Sequence, residues 1–172
     1  METNTQTLPK GVLSANKLQL FFINHLNRIY CAKSHLQERL PEIRVHAHFS
    51  DLIHAITETL IDVEKQVSRM DEIYLLMGIK YNFENCQGVI GLIEDTFSAI
   101  DQEGHDHEMC DLSILFYLQQ IESIEMASFK MLNLAAPIID KKKIRQLLKE
   151  NFDEASEDLA LLRLITAKYF KG

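Results

Sequence analysis

From Asp111 to Leu134 apolar residues return at the three- and four-residue spacing of an α-helix. Winding the segment at ~100° per residue gathers Ile114, Leu115, Leu118, Ile121, Phe129, Leu132 and the following Ala136 into one stripe. Glu122 and Glu125 fall inside that stripe, so two carboxylates enter whatever core this helix packs into. Buried charge is costly unless something answers it. What faces Glu122 and Glu125 is therefore the main question the sequence poses.

Four further stripes of the same period surround this one. A helix from Asn16 carries Leu18, Phe22, Leu26, Ile29, Leu36 and Leu40, with Lys33 on the same face; Pro41 is expected to kink or end it, although Glu42, Ile43 and Val45 could continue it for another turn. Ser50 and Asp51 read as the start of a second helix, carrying Leu52, Ile56, Leu60, Val63, Val67, Met70 and Tyr74 and stopping at Gly78. A shorter helix from about Gly88 to Ile100 presents Val89, Ile93, Phe97 and Ile100. Residues 101–109 read as a loop. After Ala135-Ala136-Pro137, Asp140 is expected to cap a last helix whose inward face is Ile144, Leu147, Leu148, Asn151, Ala155, Leu159 and Leu162, with Glu154 and Asp158 flanking it.

Four long amphipathic helices and one short one predict an all-α fold, a four-helix bundle with the short helix on a long crossover between the second and third long helices. The second long helix and the Glu122 helix then start at the same end. Counting along each helix places Lys33, Thr59 or Asp62, Glu122 with Glu125, and Ala155 in roughly one layer. Residues 1–15, with Pro9 and Gly11 and no period, read as a flexible arm before a single domain over 16–172.

Composition narrows the function classes. At 172 residues with 47% hydrophobic and 25% charged content, the chain suits one soluble globular domain. A net charge of -7 argues against nucleic acid or an anionic membrane as partner. No segment approaches the ~18 uninterrupted apolar residues of a membrane span, and the N-terminal residues do not read as a signal peptide, so a cytoplasmic protein is expected. Cys31, Cys86 and Cys110 form an odd, scattered set that reads as reduced thiols in such a compartment. No nucleophile–base signature, phosphate-binding glycine loop or dinucleotide fingerprint is present, which favours a non-enzymatic role. Phe21, Ile23, Ile53 and Leu76 lie off the inward stripes and could join two copies in a homodimer.

A family pattern runs through Ile29-Tyr30-Cys31-Ala32 into Leu40-Pro41, Arg69-Met70-Asp71, the stretch from Gln119 to Phe129, and Leu147-Leu148-Lys149-Glu150. In these residues the chain, from Phe22 to about Tyr169, resembles the YciF/YciE-type family of ferritin-like, stress-associated bacterial proteins. The resemblance implies a ferritin-like bundle and raises a di-metal centre of iron or manganese. This sequence departs from the family pattern at the positions such a centre would use. Lys33 stands where an acid is expected, Glu122-Ser123-Ile124-Glu125 keeps both carboxylates of an E-H-Y-E motif but loses the imidazole, and Ala155 and Leu159 interrupt an acidic run. A di-metal site needs about four to six carboxylate or imidazole ligands.

Three arrangements remain open for Glu122 and Glu125: a loose hydrated layer, a depleted metal site with Asp62 and Glu154, or an internal ion pair in which Lys33 replaces the cation and no cofactor is bound. Separately, His46 and His48 in one loop and His105 and His107 in another are expected at one end of the bundle, as a possible surface site for Zn²⁺ or Ni²⁺.

Overall fold

A computed structural model describes residues 13–82 and 86–171. Five α-helices carry the fold: α1 (Ala15–Val45), α2 (Ser50–Met77), α3 (Gln87–Glu103), α4 (His107–Ala135) and α5 (Lys142–Lys171), with a 3₁₀ turn, Ala136–Ile139, before the last. Among the described residues there is no strand, and no helix is long and apolar enough to cross a membrane. The expected arm falls mainly on residues 1–12, which lie outside the described residues. Ser14 caps α1 by accepting from the Lys17 N–H.

Packing follows the stripes. α1 lies against α2 and α4, and α5 against α2 and α4, so α1 and α5 occupy one diagonal of a four-helix bundle and α2 and α4 the other. The ends fix the directions: the turn from α1 to α2 and the last residues of α5 both meet the start of α4 at Asp111. α2 and α4 therefore start at the same end, which is the crossover arrangement that the stripes predict. α3 makes the crossover and packs on α4 and α1.

The bundle buries two apolar clusters. One contains Leu36, Leu40, Ile56, Val63, Leu118, Ile121 and Leu162. The other contains Phe22, Leu26, Ile29, Met70, Phe129, Leu132 and Ala155. Each fully buried Leu, Ile or Phe contributes about 1.5–3 kcal/mol. Every long helix passes from one cluster to the other through a buried polar residue: Lys33 on α1, Gln66 on α2, Glu122 and Glu125 on α4, and Asp158 on α5. The candidate site is that dividing layer.

Local details settle or correct several expectations. Pro41 lies inside α1, which runs on for one more turn to Val45, the alternative that Glu42, Ile43 and Val45 left open. Residues 101–109 are mostly helical, because α3 reaches Glu103 and α4 begins at His107, where Asp106 caps it by accepting from the Met109 N–H. Asp140 does not cap α5; it adopts a left-handed conformation, φ 51°, that closes the 3₁₀ turn. Gly78 ends α2 as expected, in the left-handed region at φ 67° that glycine adopts without strain. Phe21, Ile23, Ile53 and Leu76, expected at a dimer contact, are partly buried and also pack against this chain's own core. The cysteines depart furthest from expectation: Cys31 and Cys86 form a disulfide across a Cα–Cα distance of 6.4 Å, and only Cys110 is a free, buried thiol.

The start of α2 is tied by a residue far away in sequence. Phe49 occupies the capping position and makes no side-chain cap bond. Asp111, fully buried on α4, instead accepts from the backbone N–H of His48 at 2.9 Å and of Phe49 at 2.7 Å. Removing this carboxylate leaves two partly buried donors unpaired, and each unmade bond costs about 1–3 kcal/mol. Asp111→Ala should therefore lower stability by roughly 2–4 kcal/mol in urea unfolding, with helix content retained before the transition.

Candidate functional site

Lys33 is fully buried, and its ammonium pairs with Oε2 of Glu125, also fully buried, on the neighbouring α4. Glu122, one helical turn earlier on α4, lies fully buried beside Glu125 and close enough to Lys33 to feel its charge. From α5, Asp158 enters the same layer with 4% of its surface exposed and accepts from the Thr59 hydroxyl on α2. Three helices thus supply one cation and three carboxyl groups, and α2 adds the Thr59 hydroxyl. Both side-chain polar atoms of Gln66 and Oδ2 of Asp158 have no hydrogen-bond partner.

The charges do not balance if every group ionises, and burial decides which do. Removal from water pulls the Lys33 ammonium down, yet the attraction of Glu125 and Glu122 outweighs that and holds it above the usual lysine range. Burial pushes Glu122 well above the carboxylate range, with the neighbouring Glu125 adding to the push and Lys33 opposing it. Glu125 also rises through burial, but contact with Lys33 and a hydrogen bond from Glu122 hold it back. Asp158 is raised to about 7, chiefly by burial. The layer therefore pairs Lys33 with Glu125 and favours the neutral form of Glu122, while Asp158 lies near the midpoint of its titration at neutral pH.

The residues suited to a metal are dispersed. Glu154 turns to Arg69, whose guanidinium holds it through two bonds at 2.5 and 2.7 Å and also reaches Glu150 at 3.1 Å and Asn151 at 3.3 Å. Asp62 pairs with Lys65 at 2.7 Å near the surface. Neither joins Glu122 and Glu125, and the Lys33 ammonium occupies the place beside the glutamates where a metal cation would be needed. The donor set does not fit a di-metal group.

The histidines are partly gathered. His48 and His107 stack with ring centroids 3.6 Å apart, and His48 Nδ1 lies 3.5 Å from Asp111 Oδ1. His46 and His105 are exposed near the same end without joining them. Among the described residues, no three His, Cys, Asp or Glu side chains are gathered for one metal ion.

Asp158 is the residue that sequence reasoning missed. It was expected to flank the core, but Asn151, Ala155, Asp158 and Leu162 follow one another at four-, three- and four-residue steps, and all four are buried. The periodicity carried that signal. Gln66 is placed by the same pattern between Val63 and Met70.

Breaking a buried pair leaves an uncompensated charge. Lys33→Met should cost roughly 3–5 kcal/mol, and adding Glu122→Gln and Glu125→Gln should recover much of that loss in denaturant unfolding. Asp158 gives a pH dependence of definite sign. Its carboxyl has a reference pKa of 3.8 and rises to about 7 in the fold, so the folded state holds an extra proton between those values. The resulting stability is present at acid pH, fades as pH rises through that window and is gone above it. Asp158→Asn should accordingly be more stable than the parent at about pH 8 in thermal melts, with the gap closing toward about pH 5.

Comparison with known proteins agrees with the architecture. Protein YciF of Escherichia coli (strain K12) is 26% identical over 134 residues, covering 77% of this chain and 80% of that protein. The crystal structure of the E. coli stress protein YciF superposes with a TM-score of 0.83 at 23% identity, over 90% of this chain and 97% of that one. YcfI from Rhodopseudomonas palustris superposes with a TM-score of 0.79 at 24% identity, over 91% and 98%. The model of the domain of unknown function DUF892 matches residues 17–170, nearly the whole chain, and the protein belongs to that family.

Proposed function

We propose that this chain is a non-enzymatic, ferritin-like helical bundle of stress-related role, in which an internal Lys33–Glu125 pair occupies the layer that a di-metal protein gives to its metal ions. The observation that carries this reading is the fully buried Lys33 ammonium against Glu125, with Glu122 and Asp158 beside it. The ammonium supplies the positive charge the carboxylates need, and the two further carboxylates proposed as ligands, Asp62 and Glu154, have cationic partners of their own. The stress-related part rests on similarity to the E. coli stress protein YciF. Cytoplasmic placement is part of the proposal, and the Cys31–Cys86 disulfide is the feature that weighs against it, because reducing compartments keep thiols reduced.

The working unit in this proposal is a homodimer. Phe116, Ile124, Met131 and Leu134 are all exposed, at spacings of eight, seven and three residues, so they share the outer face of α4. A nearly uncharged stripe of this kind suits a two-fold partner presenting the same stripe.

Metal analysis and sedimentation test the two parts. Protein purified without a histidine tag should contain far less than stoichiometric iron, manganese or zinc, and a chelator should leave its melting temperature unchanged. Stoichiometric metal that is lost on Glu122→Ala, together with a Lys33→Met variant as stable as the parent, would restore the metalloprotein reading. In sedimentation, the 19.9 kDa chain should run as a dimer at tens of micromolar and as a monomer when Ile124 and Met131 are both changed to Glu. A monomeric parent would end the dimer proposal.

A further inference from the structure

The Cys31–Cys86 disulfide joins the middle of α1 to the residue preceding α3, and its surroundings differ on the two sides. Both cysteines are 8% exposed, but it is Cys86 that lines a surface cleft of about 240 Å³, whose walls include Arg28, Ile29 and Ala32 of α1 and Ser128 of α4. Among the described residues, Arg28 is the only charged side chain lining this cleft, and His25 completes its polar rim. A cationic mouth beside one sulfur of a disulfide, on a protein of net charge -7, is a local reversal of the overall field.

We propose that this cleft is a thiol-exchange site for small anionic thiols of the glutathione kind, which attack the Cys86 sulfur. The thiolate forms a new S–S bond to Cys86, the Cys31–Cys86 bond breaks, and Cys31 leaves with the electron pair and takes a proton from solvent. A second thiol molecule then attacks the mixed disulfide, releasing Cys86 as a thiol and the small molecule as its own disulfide. Two small thiols are oxidised and one protein disulfide is reduced, so no further reagent is required. Arg28 acts by raising the local concentration of the anionic thiol beside Cys86.

The exchange has a structural consequence because α3 is anchored unevenly. Its buried side chains are Ile93, Thr96 and Ile100, and Glu94 is held by His35 at 2.8 Å and Arg39 at 3.0 Å. None of residues 87–92 is fully buried, and Gly88 and Gly91 lie among them. Opening the disulfide removes the covalent tie from the weaker half. That half crosses the seam of α1 and α4 beside Ala32 and Ser128, one residue from Lys33 and three from Glu125. Reduction therefore loosens the first half of α3, where Val89 and Leu92 pack against the apolar core.

The test uses full-length protein purified without reductant. Alkylation and mass spectrometry should first find Cys31 and Cys86 protected. Glutathione should then reduce the bond faster than the cationic thiol cysteamine at equal thiolate concentration, and Arg28→Ala should slow glutathione by about three- to ten-fold while sparing cysteamine. Oxidised glutathione should add to Cys86 in the Cys31→Ser variant and fail to add to Cys31 in Cys86→Ser. On reduction, hydrogen exchange should accelerate by about ten-fold or more in residues 87–92 and stay unchanged in 96–103. Free thiols in the air-oxidised protein, equal rates for the two reagents in parent and Arg28→Ala, or preferential addition to Cys31 would each overturn the proposal.

Discussion

An ammonium and a carboxylate in contact, both without any exposure to water, form the constraint around which this bundle is arranged. Neither charge could stay inside alone, because the desolvation cost of each is several kcal/mol and only the partner offsets it. The pair therefore requires α1 and α4 to meet in one register, with Lys33 opposite Glu125. The apolar clusters on either side carry no charge that must find a partner; the layer between them does. This is a role in specifying a structure more than in stabilising it, since well-packed apolar residues of the same volume would serve stability as well.

The same layer favours neutral acids. Three carboxyl groups meet one ammonium, and burial relieves the excess by raising Glu122 well above the carboxylate range and Asp158 to about 7. A metal protein would use such a group of carboxylates as ligands. Here the carboxylates that would have to complete the ligand set are drawn outward, Glu154 by Arg69 and Asp62 by Lys65, while Lys33 takes the interior. The chemistry available is therefore proton storage and charge pairing in a closed core.

The helices and their order were legible because they follow one rule, a 3.6-residue period, and because Gly78 ends α2 in the way glycine ends helices. The same rule placed Lys33, Glu122 and Glu125 inside. Features set by contacts distant in sequence were not legible. The start of α2 is capped by Asp111, more than sixty positions away, so Ser50 and Asp51 looked like the cap. The loop assigned to 101–109 was mostly helix because Asp106 is itself a capping residue within a run that reads as polar. Cys31 and Cys86 have no local spacing signature, and only the crossover of α3 brings them together. Asp158 is the exception. It lies on a readable stripe with Asn151, Ala155 and Leu162, and centring that face on Ala155 leaves Asp158 at the flank, whereas the bundle buries it.

The central claim is that the Lys33 ammonium itself fills the cationic role in the core, and nitrogen NMR of its side chain addresses that directly. With ¹⁵N-labelled protein, the Nζ resonance assigned by its loss in Lys33→Met should show a slowly exchanging ammonium that stays charged above the ordinary lysine value of 10.5, and Glu125→Gln should lower that titration. A Lys33 amine that titrates at or below the ordinary value, with no response to Glu125→Gln, would contradict the account.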